Sequence, residues 1–177
     1  MKNVILAGFV LVSVVIGFVA YSSMGATKNN IDFLRIHIRA NSNLEIDQDV
    51  KYLVKDKVID SLTPLFANIN TREQAINAIK NNLKYVENIA NAVLLENNFT
   101  YGVKARVANE YFPTRVYNDV SLAQGFYDAL ILELGQGAGD NWWCVVYPPL
   151  CFLDNNIGGA SGVLYRSKLQ EIINKIL

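Results

Sequence analysis

Few residues in this chain carry reactive chemistry, so each can be weighed singly. His37 is the only histidine, and Cys144 and Cys151 are the only cysteines. A zinc site takes three or four ligands, and one imidazole with two thiols from separate regions makes a poor set. No metal or other cofactor is expected. A Cys–His nucleophilic pair, His37 with Cys144 or Cys151, is chemically conceivable, because a thiolate needs a base nearby. Nothing in the spacing brings the two together. The plainer reading of His37 is a polar residue on a sheet face. The two cysteines flank Pro148-Pro149, and a chain reversal there would let the sulfurs meet. A bridge of that span contributes about 2.5 kcal/mol in the chain-entropy picture. Sequence leaves the disulfide open, because bonding depends on distance.

The next chemistry is cationic. Phe33 to Ala40 alternates, with Leu34, Ile36, Ile38 and Ala40 on one side and Arg35, His37 and Arg39 on the other. That is the pattern of a half-buried strand. The stripe Arg35–His37–Arg39, with Arg115 as an addition, reads either as a solvated face or as a partner-facing patch. The stretch Gly135 to Phe152 concentrates both tryptophans, both cysteines and the Pro148-Pro149 pair. Its alternating glycines resemble a phosphate loop only superficially. A phosphate loop opens a helix, whose N-terminus meets the anion, and here Trp142 to Tyr147 reads as a strand. Nucleotide binding is rejected. Glycine at these positions is expected to supply positive φ or close backbone approach. Trp142 and Trp143, adjacent on a strand, face opposite sides. Either one is an exposed anchor or both are buried.

These residues need a scaffold. Ser42-Asn43-Leu44-Glu45 has capping-box spacing, and Val50, Leu53, Val54, Val58 and Leu62 follow at helical spacing until Pro64 marks the end. Thr71-Arg72-Glu73-Gln74 opens a second helix, with Ile76, Ile79, Leu83, Val86, Ala90 and Val93 on its apolar face, running out near Asn97. Strands are expected over Phe99–Val107, Tyr127–Leu134 and Trp142–Tyr147, with a short one at Val116-Tyr117. Asn109 to Arg115 reads as an irregular connection. The fold expected is α+β: a mostly antiparallel sheet with two helices packed on one face and the other face partly solvated. A C-terminal helix with Leu164, Leu169, Ile172, Ile173 and Ile176 would follow.

Composition bounds the partners. Lys+Arg and Asp+Glu are both 16, so no basic bias points to nucleic acid. Hydrophobic residues make up 51% and charged residues 18%, which suits a packed domain. Val4 to Tyr21 is a nearly unbroken apolar run behind Lys2. Its length lies between a signal-peptide core and a minimal spanning helix of about 20 residues. Residues 1–26 are therefore expected to be a signal peptide or membrane anchor. Residues 27–177 would form an exported domain, with a core of about 31–152 and a tail of 153–177.

Leu34 to Ser42, Asp47 to Lys51, Tyr111 to Tyr117, Gly125-x-Tyr127-x-Ala129-Leu130 and Gly135 to Phe152 together resemble the stage II sporulation protein R family. The match departs at Ala123, where the family pattern has proline. The resemblance implies an exported signal rather than an enzyme. Family members leave the forespore for the space between the two sporulation membranes. There they activate a membrane-embedded aspartic protease that processes pro-sigma-E in the mother cell. Residue types then suggest a partner-binding set of Asn141, Trp142, Trp143, Pro148, Pro149 and Phe152, supported by Arg35, His37, Arg39 and Arg115. The alternative is an exported hydrolase acting on cell wall or peptide through Cys144 and His37.

Overall fold

A computed structural model describes residues 33–117, 120–148 and 151. The expected signal or anchor segment, the C-terminal helix, Pro149 and Phe152 lie outside the described residues. Among the described residues, no helix is long and apolar enough to cross a membrane. The elements run β1 (Leu34–Arg39), α1 (Glu45–Phe66), α2 (Arg72–Asn81), α3 (Leu83–Glu96), β2 (Val103–Phe112), β3 (Arg115–Tyr117), β4 (Val120–Leu122), β5 (Gly125–Leu134) and β6 (Asn141–Tyr147).

The class is α+β, but the sheet is mixed. Its order is β2-β5-β1-β6. β1 runs parallel to β5 and antiparallel to β6, and β2 pairs antiparallel with β5. Two of the three pairings are antiparallel, as expected of a mostly antiparallel sheet; the parallel pairing of β1 with β5 was not foreseen. The three helices between β1 and β2 carry the chain across, so β1 can lie beside β5 in the same direction. β3 and β4 form a separate two-stranded ribbon.

The sheet's apolar face packs against three helices, not two. Leu34, Ile36, Ile38, Leu130, Leu132 and Val146 share one core with Val54, Val58, Leu62, Ile79, Val86 and Ala90. The second expected helix divides at Asn82, whose backbone (φ −116°, ψ 11°) leaves the helical region. The Asn82 side chain donates to the Ala78 carbonyl (2.8 Å), offering α2 an exit that competes with continuing the helix. The Thr71 capping box forms as spaced, with both reciprocal bonds to Gln74 present. The Ser42 box does not. Leu44 is the N-cap of α1, and the Ser42 hydroxyl instead bonds Asp47 (2.5 Å). Asp47 also accepts from Asn41 and Tyr101. Burial alone would raise the Asp47 carboxyl. The bonds from Ser42, Tyr101 and Asn41 outweigh it and hold the group below its ordinary range. Pro64 does not end α1, which continues through Phe66.

β2 is longer and later than its sequence pattern suggested. Phe99 and Tyr101 precede it, and it extends through Phe112 into the stretch read as irregular. Pairing with β5 supplies the reason: Asn109 to Phe112 lie opposite Asp128 to Gly125 in continuous register. This ribbon also bends. Glu110 sits opposite Tyr127, while Arg39 sits opposite Glu133. Those levels are six residues apart, about 20 Å along a flat strand. Yet Glu110 bonds both Arg39 and His37. The distal half of the ribbon therefore curls back over the sheet's polar face.

Candidate functional site

That curl builds the site. Arg35, His37 and Arg39 project from β1 on the face opposite the helices, as the alternation predicts. They do not form a solvated stripe. Arg35 is 0% exposed and His37 is 4% exposed. Phe112, itself fully buried, is swung over them by the curl: its ring lies 4.3 Å from the Arg35 guanidinium carbon and edge-on to His37 (5.8 Å between centroids). Tyr127 and Tyr117 complete an aromatic box around Arg35, at 5.1 and 5.6 Å. Such a box replaces part of a cation's lost hydration.

Each cation has its own partners. Arg35 Nε donates to the Cys144 carbonyl (3.1 Å) and Nη2 to the Tyr117 hydroxyl (2.7 Å). Burial lowers the Arg35 pKa and raises that of Tyr117, while each group opposes the shift of the other. Arg39 bridges Glu110 and Glu133. His37 Nδ1 meets Glu110 Oε2 at 3.0 Å and Nε2 meets Asn141 Oδ1 at 2.8 Å, with the Trp143 ring stacked at 5.3 Å. Burial lowers the imidazole pKa to about 4, with Arg39 and Arg106 adding to it and Asn141 and Glu133 opposing. The ring is therefore neutral at pH 7, with its proton on Nδ1 towards the Glu110 carboxylate. An oxygen at Nε2 suits a doubly protonated ring, and a half-turn of the Asn141 amide presents Nδ2 to the neutral one.

The glycine loop has a structural role. Gly135 and Gly137 take positive φ (57° and 62°), and the loop clasps the turn after β1. Ala138 N–H donates to Asn41 O, Gly139 N–H to Ala40 O (2.9 Å), Gln136 N–H to Asn41 Oδ1 and Asp140 N–H to Asn43 Oδ1 (2.6 Å). Buried Lys51 donates to Asp140 O (3.1 Å) from α1. The loop thus fixes where β6 starts, and with it Asn141, Trp142 and Trp143.

The structure sorts the predicted partner-binding residues. Asn141 and Arg115 are exposed; Trp142, Trp143 and Arg39 are half-buried; Arg35, His37 and Pro148 are buried. Trp142 packs towards the helical core with Lys55 near its ring (5.7 Å), and Trp143 lies on the polar face under Arg115 (4.3 Å). Neither is a freely exposed anchor, and neither is fully buried. Cys144 and Cys151 are joined in a disulfide, with Cα atoms 5.9 Å apart. Cys144 pairs with Ile36 on the helical face, whereas His37 faces the other way. The Cys–His nucleophile therefore fails twice, by bonding and by direction. Among the described residues, no group of three His, Cys, Asp or Glu side chains could hold a metal.

Sequence reading missed Glu110, Phe112, Tyr117 and Tyr127 as site residues. Alternation breaks after Val107, at Ala108-Asn109-Glu110, so the extension of β2 to Phe112 carries no periodic signal. No local pattern announces the curl.

A family model described as stage II sporulation protein R matches residues 30–157. The chain belongs to the stage II sporulation protein R family. The stage II sporulation protein R of Bacillus subtilis (strain 168) is 34% identical over 127 residues, covering 72% of this chain and 57% of that relative. The chain thus spans less than two thirds of the relative's length. No solved structure matches it. The family match includes β1, the curled ribbon, the glycine clasp and β6, the parts that build the buried cationic layer. Sporulation is the setting in which that layer must be understood.

Proposed function

We propose that this chain is an exported sporulation signal that activates the membrane-embedded aspartic protease processing pro-sigma-E. Family membership carries the reading. The disulfide-bonded, inward-facing Cys144 speaks against the hydrolase alternative. The apolar run Val4–Tyr21 is consistent with delivery into the space between forespore and mother cell, by cleavage or as an anchor. Activation requires that the chain bind the protease's active state better than its inactive one.

The contact surface is proposed to centre on exposed Asn141 and Arg115 and on half-buried Trp143 and Arg39 at the polar face, with half-buried Trp142 reached from the helical side of the same strand. Arg35 and His37 support that surface from below. The test is co-expression of the protease and its pro-sigma substrate with and without this chain, with processing followed by the size of the sigma product. Processing should depend on the chain and survive His37→Gln. Full processing without the chain would refute the activator reading. Loss of processing in a well-folded His37→Gln protein would show that His37 acts directly and refute its being only a support.

A further inference from the structure

The outer edge of β2 is protected along only part of its length. In the sheet order β2-β5-β1-β6, β2 has β5 on one side and no strand on the other. Val103 and Ala105 point their N–H groups away from β5. The first donates to Asn91 Oδ1 (2.8 Å) and the second to Glu87 Oε1 (2.9 Å), both on α3. Four helical residues advance about 6 Å and two strand residues about 6.6 Å, so α3 and β2 run in step. The next rung would set Leu83 against Val107. Leu83 is the first residue of α3, and its side chain has no acceptor. The capping stops there, where the ribbon curls away over the polar face.

β2 keeps one register with β5 through Phe112. Residues two apart on a strand direct their N–H and C=O groups to the same side. Val107, Asn109 and Tyr111 therefore also point outward. Among the described residues these three N–H groups have no acceptor. An open edge is ordinarily blunted by lysine, proline or a bulge. Val107 to Phe112 contains no lysine and no proline, and no bulge interrupts its pairing. Its one charge, Glu110, is spent on Arg39 and His37.

The open length complements itself. Antiparallel pairing about a twofold axis at Asn109 sets Val107 opposite the second copy's Tyr111, Asn109 opposite Asn109, and Tyr111 opposite Val107. In each pair both residues point at each other, so the two copies exchange about six hydrogen bonds. The valine–tyrosine pair, made twice, is the β-branched and aromatic combination that stabilises sheets. Phe126 widens it: it is 72% exposed, and its ring centre lies 5.7 Å from that of Tyr111. On the other face Arg106 falls diagonal to the second copy's Glu110, an opposite-charge neighbour within reach of a long side chain. Glu110 itself stands opposite Ala108, so no like charges meet.

We propose that two copies of this chain pair through residues 107–111 of β2, joining their two sheets into one continuous sheet. The pairing needs no second protein and stands apart from the protease assignment.

The test uses the purified full-length chain in mild detergent, with circular dichroism and thermal unfolding of each variant to establish folding. Sedimentation velocity should show a concentration-dependent dimer. Asn109→Lys places two ammonium groups face to face at the axis and leaves each monomer's edge in water. It should weaken the dimer about tenfold or more. Asn81→Lys is the same change at the exposed last residue of α2 and should leave dissociation within about twofold. Asn109→Cys should cross-link to itself with a short bis-maleimide, because Cα atoms in such a pair lie about 5.5 Å apart; Asn81→Cys should not. Cys144 and Cys151 are bonded to each other and leave no competing thiol. A chain that stays monomeric at every concentration, or a dimer that folded Asn109→Lys leaves undiminished, would overturn the pairing. So would equal weakening by Asn81→Lys, or failure of Asn109→Cys to cross-link. Cross-linking of Asn109→Cys to another protein while the chain sediments as a monomer would give the edge to a different occupant and refute the second copy.

Discussion

Gly139→Ala is the sharpest test of the clasp between the β5–β6 loop and the turn after β1. A Cβ at Gly139 would overlap the carbonyl carbon and oxygen of Ser42 and lie 2.9 Å from its Cα. All three are backbone atoms, so no rotamer change relieves the contact. The two loops must part by about an ångström or more to reach ordinary van der Waals separation. Parting them stretches the bond from Gly139 N–H to Ala40 O (2.9 Å) and that from Asp140 N–H to Asn43 Oδ1 (2.6 Å). At about 1 kcal/mol per bond, with overpacking strain added, the loss should be about 2–4 kcal/mol. Gly137→Ala is the matched control. Its Cβ would meet Glu133 Cβ at an ordinary 3.5 Å, so only its left-handed φ of 62° is penalised. That costs about 1–2 kcal/mol. Equilibrium urea unfolding followed by tryptophan fluorescence measures both on one scale. Gly139→Ala should lower the midpoint clearly more than Gly137→Ala. Equal losses, or a neutral Gly139→Ala, would show that the close approach is not what requires glycine there.

Acid should destabilise the domain in two stages. His37, lowered to about 4, binds fewer protons folded than unfolded between that value and its ordinary 6.5. Stability should therefore rise with pH across this window, by up to about 3 kcal/mol, and His37→Gln should flatten the slope. Asp47, held below its ordinary carboxyl range, contributes stability above its unfolded pKa, which is lost as pH falls through its folded pKa. Asp47→Asn should weaken that lower stage of the unfolding profile. Reduction, or the double change Cys144→Ser and Cys151→Ser, should cost about 2.5 kcal/mol in midpoint shift, from the loop entropy of a seven-residue separation. An unchanged midpoint would mean that the bridge does not constrain the unfolded chain. Thr71→Ala removes the α2 capping box and should cost about 1 kcal/mol in the same assay.

Much of the scaffold was legible because it is local. Alternation located β1, bounding turn, glycine and proline residues located most of β5 and β6, helical spacing located α1, and the Thr71-x-x-Gln74 box located the start of α2. What escaped depends on distant contacts. Parallel pairing of β1 with β5 leaves no mark on either strand's alternation. The curl of β2–β5 decides whether Arg35 and His37 meet water, and it is visible only in the Glu110–Arg39 and Phe112–His37 contacts. Alternation separated the two faces of β1 correctly but could not say that the second face is covered. Likewise, the glycine loop was legible as a place needing glycine, but not as the clasp that needs it. The Ser42 box failed because the helix starts later, with Leu44 as N-cap: the Ser42 oxygen accepts from the Leu44 N–H, and its hydroxyl donates to Asp47.

β1 is the first of the described strands and an interior strand of the sheet. Its neighbours come from the far end of the fold: Arg35 lies between Ala129 and Val145. A polypeptide delivered N-terminus first, from a ribosome or through a membrane pore, therefore presents β1 long before either neighbour exists. The three helices can form meanwhile, but the sheet cannot close, and the guanidinium of Arg35 cannot be enclosed, until Tyr147 has emerged. The sheet is thus complete only once the chain has been delivered through β6. A stalled or truncated copy would lack both β6 and the buried cationic layer, so it could not mimic the finished molecule.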